Sequence, residues 1–286
     1  MTKKILITGE NSYVGNCLAK WLGKEPEEYE VEKKSVRDDK WKEIDFSIFD
    51  VIVHVAGIAH QDTKSDQSDL YYKINTDLTI ELATKAKAEG VKQFIFMSSI
   101  IVYGVSKDSK RVIDKNTVPT PSNFYGNSKF LAEQAIKSFQ TEKFKIVIVR
   151  PPMIYGKDSK GNYPRLANLA KKTIIFPDID NERSMLHIDN LCEFLKVMID
   201  FEELGVFFPQ NKEYVKTSVM VKLIGEAQGK KIKLIKWFNP FIKLILNFNI
   251  VNKVFGNLVY EKGMSKYENK DYQIRDLKES IQLTET

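Results

Sequence analysis

The chain is short of the residues that staple small folds and hold metal ions. Only two cysteines and three histidines occur among its 286 residues. Cys17 and Cys192 stand far apart in sequence, which excludes a disulfide framework and fits a reducing compartment. His54, His60 and His187 are dispersed and share no metal-ligand spacing with either cysteine, so no metal site is expected. Arginine is scarce too, six against 38 lysines, with no arginine-rich run and no DNA- or RNA-binding signature. Nucleic acid is therefore not an expected partner, although the net charge of +6 suits an anionic substrate. No window approaches the ~18 to 20 apolar residues needed to span a bilayer. The start, "MTKKILITGE", opens a strand at once and lacks the apolar stretch of a signal peptide. A cytoplasmic chain is the expectation.

What is present is ordinary for a globular protein, with 43% hydrophobic and 29% charged residues. Short apolar runs alternate with helical spacing. "KILIT" (4–8), "DVIVHVAG" (50–57), "KQFIFMSS" (92–99) and "FKIVIVRPP" (144–152) read as buried strands, and "YEVEKKSV" as a weaker, half-exposed one. "YVGNCLAKWLG" (13–23), "TDLTIELATKAKAEG" (76–90, closed by Gly90) and the segment after Asn123 read as helices. Continuous apolar strands separated by helices predict an α/β fold, a Rossmann-type doubly wound parallel sheet. After Pro151 the pattern loosens: 181–200 contains a helix, "GVFFPQ" (205–210) is a returning strand, and the rest is mostly helical. The expected division is a dinucleotide-binding domain over 1–155 with 185–212 returning to it. A smaller, mainly helical substrate lobe would cover 156–184 and 213–286.

Between the first strand and first helix stands "TGENSYVG", which holds Gly9, Asn11, Ser12, Tyr13, Val14 and Gly15. A strand that turns through glycine into a helix N-terminus offers free backbone N–H groups and the positive end of the helix dipole to a pyrophosphate. Ser12 stands where a third glycine would be usual; its Cβ narrows the approach, and its hydroxyl can donate a hydrogen bond instead. An acid near the end of the second strand would suit the ribose of NAD, and a base the 2′-phosphate of NADP. The stretch "KKSVRDD" offers Ser35 and Arg37 before Asp38, which favours NADP over the alternative, NAD.

"NFYGNSKFLAEQAIKSF" places Tyr125 and Lys129 four residues apart. Spacing alone decides nothing, because three of the 12 tyrosines have such a lysine and chance supplies about one or two. Context separates them. Tyr125 opens a helix, so Lys129 shares its face, and the strand ending "FMSSIIVYG" brings Ser99 alongside. Tyr29 and Tyr103, the other two, lack that setting.

In their order "TGENSYVG", "HVAG", "SSIIVYG", "YGNSK", "RPPMIYG" and "RSMLHIDNL", residues 3 to about 210 resemble the extended short-chain dehydrogenase/reductases, the nucleotide-sugar epimerase/dehydratase family. The resemblance implies a catalytic unit of Ser99, Tyr125 and Lys129. Tyr125 would exchange a proton with a sugar oxygen while hydride moves between that carbon and nicotinamide. Ser99 would bond the same oxygen, and Lys129 would hold the cofactor ribose and favour phenolate at Tyr125, whose free pKa is ~10. It further implies cofactor contacts from Arg37, Asp45, Ala56, Gly57, Tyr125, Lys129 and Pro152, with Asn75 bracing the sheet and His187 having no proton-transfer role, while His54 reads as a strand residue within the sheet. Substrate contacts are implied for Ser99, Ile100, Met153, Asn162 and Arg165, and Arg183 would pair with the diphosphate. Many relatives dimerise through the helix after "HVAG" and the helix of Tyr125, so a homodimer is expected.

Three reactions share this machinery. A 4,6-dehydratase needs an acid and a base after the serine, where this chain has Ile100 and Ile101. The expected reaction is reduction of a UDP-sugar 4-ketone, with 4-epimerisation on tightly bound NAD as the alternative and a non-catalytic dinucleotide sensor as a minor one. Arg37, Met153 in place of the epimerase asparagine, and a chain shorter than typical epimerases lean toward reduction. "RPPMIYG", "GNYPRL" and "GNLVYE" are similar to capsule-biosynthesis enzymes that reduce UDP-4-keto-6-deoxy-N-acetylhexosamine. The apolar 238–260 stretch fits helices over the substrate cleft or, alternatively, a peripheral membrane contact.

Overall fold

The computed structural model of the chain describes residues 2–59, 68–104, 111–237, 239, 256–268 and 270–286. His60 and most of the apolar 238–260 stretch lie outside the described residues. The chain divides into two units: Met1–Val105, Val118–Pro151 and Leu191–Pro209 form unit 1, and Ser106–Thr117, Pro152–Asn190 and Gln210–Thr286 form unit 2.

Unit 1 is built on a six-stranded sheet. Its strands are β1 (Lys3–Thr8), β2 (Tyr29–Lys34), β3 (Val51–His54), β4 (Gln93–Met97), β6 (Lys145–Val149) and β10 (Gly205–Phe207). The order is β10-β6-β4-β3-β1-β2, and every pair is parallel. The helices α1 (Tyr13–Leu22), α2 (Ser68–Tyr71), α3 (Leu78–Ala88) and α4 (Phe124–Lys137) come between the strands, and α6 (Ile188–Asp200) ends in this unit. Ile5, Leu6 and Ile7 are all buried, so both faces of β1 are covered, as the unbroken apolar run requires. Leu6, Ile52, Phe94 and Ile146 from four neighbouring strands share one apolar cluster with Leu82 and Ala86 of α3 and Ile136 of α4. β2 is the edge strand, which explains its weak, half-exposed pattern. Gly90, at φ 83°, closes α3 in the left-handed conformation while Val91 N–H donates to Ala86 O at 3.0 Å. The order in which strands are added reverses between β1 and β3, the switch point at which α/β sheets of this kind open a crevice at their C-terminal edge.

Unit 2 holds a second core around Tyr155, Met185, Val221 and Ile224. Among the described residues its helices are α5 (Asn162–Lys172), α7 (Thr217–Ala227) and α8 (Leu277–Glu285). Three short parallel pairs join them. β7 (Met153–Tyr155) pairs with β9 (Met185–His187), β8 (Ile175–Pro177) with β11 (Lys233–Ile235), and β5 (Val112–Ile113) with β12 (Val259–Tyr260). Such strands are too short to carry a period, and the sequence does not signal them. Among the described residues no helix is long and apolar enough to cross a membrane.

Candidate active site

Gly9 sits at the C-terminal end of β1 with φ 92°, and a Cβ there would lie 3.1 Å from the Ala56 nitrogen. The turn thus requires glycine twice, for its conformation and for the close passage of the loop after β3. Ser12 is the N-cap of α1: its Oγ accepts a hydrogen bond from Gly15 N–H at 3.0 Å. The hydroxyl read from the sequence as a phosphate donor also caps the helix as an acceptor, which leaves its own proton to donate. A Cβ at Gly15 would stand only 2.5 Å from that same oxygen, so the loop closes around small residues. Val14 and Tyr13 are half-buried in the first turn, and Asn11 is exposed. A glycine cradle at the N-terminus of a ten-residue helix fits a dinucleotide pyrophosphate.

The residues around Tyr125 come together in the same unit. Ser99 follows β4, and its Oγ accepts from Ile101 N–H at 3.3 Å, capping the short 3₁₀ turn over Ile100–Tyr103. Ile100 N–H donates to Pro151 O at 2.9 Å, which ties this turn to the end of β6. α4 begins against it. Asn123 caps the helix by accepting from Gly126 N–H at 2.8 Å, and a Cβ at Gly126 would be 2.8 Å from Ile101 O. The glycine after Tyr125 is what lets the helix approach closely enough for Tyr125 to hydrogen-bond Ser99. Burial pushes the Tyr125 phenol up to about 12, the bond from Ser99 pulls it down, and Tyr71, 6.3 Å away ring to ring, raises it further.

Lys129 lies one turn further along α4, buried, with Nζ donating to Met97 O at 3.0 Å and resting 4.7 Å from the centre of the Phe96 ring. Burial pulls its ammonium down to about 8, and Glu133 works against that. A Cβ on Gly57 would meet Asn75 Oδ1 at 2.8 Å and Lys129 Nζ at 3.1 Å, so Gly57 keeps the space beside the amine open. Asn75 closes this side: its amide donates to Ile58 O and Ser128 Oγ, each at 3.1 Å, and accepts from Ile58 N–H at 3.0 Å. His54 is sealed in the sheet between Thr8 and Thr79, and burial takes its imidazole down to about 3.

Two residues of this region escape sequence reasoning. Glu133 and Arg150 form a buried pair, with Arg150 Nε donating to the two Glu133 oxygens at 3.0 and 3.2 Å. Ser98 donates to the same carboxylate, and Arg150 Nη1 donates to Tyr103 OH at 2.8 Å. The pair locks α4 to the ends of β4 and β6, and it sets a carboxylate one turn below Lys129. Glu133 at four residues from Lys129 was the available signal, but a charged helix position reads by default as solvated.

Arg37 and Asp45 are exposed in the segment between β2 and β3. Asp38 caps a short 3₁₀ turn through Lys40 N–H at 3.2 Å, and Asp45 accepts from Ser47 N–H at 2.9 Å and its hydroxyl at 2.6 Å. Asp38 and Asp45 are therefore engaged locally, and Asp39 between them pairs with Lys42 at 2.9 Å. In unit 2, Pro152 is buried and Met153 opens β7. Asn162 and Arg165 are exposed on the first turns of α5. Arg183 is held by paired backbone bonds with Val215 at 3.1 and 2.9 Å, and its Nη1 donates to Gly256 O at 3.1 Å. Among the described residues no group of three or more His, Cys, Asp or Glu could hold a metal ion.

The family model described as "NAD dependent epimerase/dehydratase family" matches residues 5–207. A UDP-glucose 4-epimerase of Vibrio cholerae is 31% identical, over 93% of this chain and 89% of its own. An N-acetyl-α-D-glucosaminyl-diphospho-ditrans,octacis-undecaprenol 4-epimerase of Escherichia coli O157:H7 is 29% identical, over 81% of this chain and 74% of its own. The fold is shared with a Bacillus cereus UDP-glucuronic acid 4-epimerase solved with NAD, at TM-score 0.75 and 18% identity, over 98% and 96% of the two chains. With a parallel sheet, a glycine turn into α1 and a Ser99–Tyr125 pair beside Lys129, the chain belongs to the NAD-dependent epimerase/dehydratase family of nucleotide-sugar enzymes.

Proposed function

We propose that the chain reduces the C4 ketone of a UDP-4-keto-6-deoxy-N-acetylhexosamine, a step that serves capsular or surface polysaccharide synthesis. The observation that carries C4 chemistry is the hydrogen-bonded Ser99–Tyr125 pair with Lys129 one turn away. A bound nicotinamide supplies the hydride. As it adds to C4, the carbonyl π pair moves onto oxygen, and Tyr125 passes its proton to that oxygen while Ser99 holds it in place. Lys129, as an ammonium, would stabilise the phenolate left behind. Isoleucines at 100 and 101 cannot exchange protons, which removes the acid and base of a dehydratase.

NADP is favoured because Asp38 and Asp45 are both committed to local turns, leaving Arg37 exposed beyond β2. Unit 1 would hold the cofactor through Gly9, Asn11, Ser12, Tyr13, Val14 and Gly15, with Ala56 and Gly57 alongside. Pro152 is a further proposed cofactor contact, and Met153, Asn162, Arg165 and Arg183 are the proposed contacts of the UDP-sugar. A second reading, 4-epimerisation with retained NAD, is favoured by the two relatives of 31% and 29% identity, both named 4-epimerases.

A 340 nm assay with UDP-4-keto-6-deoxy-N-acetylglucosamine separates the two. Stoichiometric oxidation of added NADPH supports the reductase. Interconversion of UDP-sugars without added cofactor, and no NADPH oxidation, would replace it with the epimerase.

A further inference from the structure

Unit 2 carries an apolar surface ringed by lysine that neither cofactor nor sugar chemistry calls for. β8 and β11 form an isolated two-stranded sheet in which Ile175 pairs with Lys233 and Pro177 with Ile235. Side chains alternate across a strand, so Phe176 and Leu234 turn into the core of the unit and the other four share the outer side. Ile175, on that side, is 45% exposed, and Ile174, the residue before the strand, is 74% exposed. Leu169 near the end of α5 is 41% exposed, and Trp237, two residues past β11, is 68% exposed. Backbone bonds from Lys233 N–H to Ile174 O at 2.9 Å and from Thr173 N–H to Leu169 O at 3.1 Å link the end of α5, the start of β8 and β11.

Lysine surrounds them. Lys171 and Lys172 end α5, Lys230 and Lys231 lead into β11, and Lys233 and Lys236 lie on and after it, all exposed. Lys230 Nζ reaches Lys171 O, which joins the two groups. Lys236 faces Asp178 at 4.0 Å, and among the described residues none of the other five makes an ion pair.

We propose that this surface docks the protein onto an anionic lipid membrane. Scattered exposed apolar residues need no explanation, but isoleucines and a tryptophan flanked by six exposed lysines, one of them ion-paired among the described residues, match the two demands of a lipid interface. The apolar side chains enter the headgroup boundary, and the lysine stems lie along it with their ammonium groups on lipid phosphates. A protein partner fits less well, because lysine is depleted from the buried centres of protein interfaces. A nucleic acid fits less well because the patch has no arginine and a single aromatic ring.

The test is co-sedimentation of the full chain with vesicles of phosphatidylcholine alone and of phosphatidylcholine with about 30% phosphatidylglycerol. Binding is expected to the anionic vesicles only, weakening as salt screens it. Lys171→Glu/Lys172→Glu/Lys233→Glu should lower the partition by about tenfold or more, and Ile174→Ser/Ile175→Ser by about fivefold. Both should keep the parent's melting temperature and its turnover of a soluble UDP-sugar; a Lys→Gln triple repeats the charge test if the Glu triple fails to fold. No binding to anionic vesicles, or equal binding by parent and all variants, overturns the proposal. So does loss with the lysine variants alone: full binding by Ile174→Ser/Ile175→Ser would identify a site for soluble polyanions, acidic protein or nucleic acid.

Discussion

A buried phenol raised to about 12 is a proton donor at neutral pH, and that suits Tyr125 to reduction. In the proposed reduction the phenol would begin protonated, give its proton to the oxygen formed at C4, and then need stabilising as phenolate by Ser99 and a Lys129 ammonium. Tyr125→Phe keeps the ring and its contact with Tyr71 but removes the transferable proton. Turnover should fall by about 10²- to 10⁴-fold, while cofactor affinity by fluorescence titration stays within about twofold. A parallel loss of cofactor affinity would mean that Tyr125 is a binding residue instead. His54 gives a pH signature of a different kind. Folded, it takes a proton only below about 3, whereas an unfolded histidine does so near 6.5. Between those values the unfolded chain binds the extra proton, so stability is present above 6.5 and is lost as pH falls toward 3. At pH 5 the difference is worth about 2 kcal/mol, at about 1.4 kcal/mol per pKa unit. Urea unfolding at pH 7 and 5 should show His54→Asn losing about 2 kcal/mol less than the parent across that interval. Equal losses would remove His54 from the account.

At the scale of elements, the placement of α4 decides whether Tyr125 reaches Ser99. Helix propensity alone says that Gly126→Ala should stabilise α4 by about 1 kcal/mol. The packing says the reverse, because the new Cβ would sit 2.8 Å from the Ile101 carbonyl, a backbone atom that cannot swing aside. Gly126→Ala should lower the thermal midpoint and reduce kcat by about tenfold or more, with KM for the cofactor little changed. A more stable, fully active variant would show that the approach of α4 to the Ser99 turn is not required. This contact also shows what a sequence can and cannot carry. β1, β3, β4 and β6 are legible because each is an unbroken apolar run, and α3 because Gly90 ends it. Ser99, Tyr125 and Lys129 are legible as an ordered motif. The Glu133–Arg150 pair is not, since its partners are separated by a helix end and a strand, and each charge taken singly belongs on a surface. Nor is the capping role of Ser12, whose hydroxyl has several possible partners until the turn at Gly9 fixes one.

For the whole molecule the open quantity is which dinucleotide the chain stabilises itself upon, and linkage turns that into a melting measurement. A ligand that binds only the folded chain at a hundred times its Kd adds about 2.7 kcal/mol. At about 2 to 4 °C per kcal/mol this is a rise of roughly 5 to 10 °C. A tenfold preference between two cofactors at equal saturating concentration is about 1.4 kcal/mol, hence roughly 3 to 6 °C between their curves. The charge beyond β2 sets the sign. With Asp38 and Asp45 bound to their own turns and Arg37 exposed, NADPH should give the larger rise. Arg37→Ala should shrink the NADPH shift and leave the NADH shift in place, because only the former cofactor carries a 2′-phosphate for a guanidinium to hold. A larger shift with NADH, unchanged by Arg37→Ala, would reverse the cofactor assignment. It would also move the balance from an exchangeable reductant toward a retained NAD and 4-epimerisation.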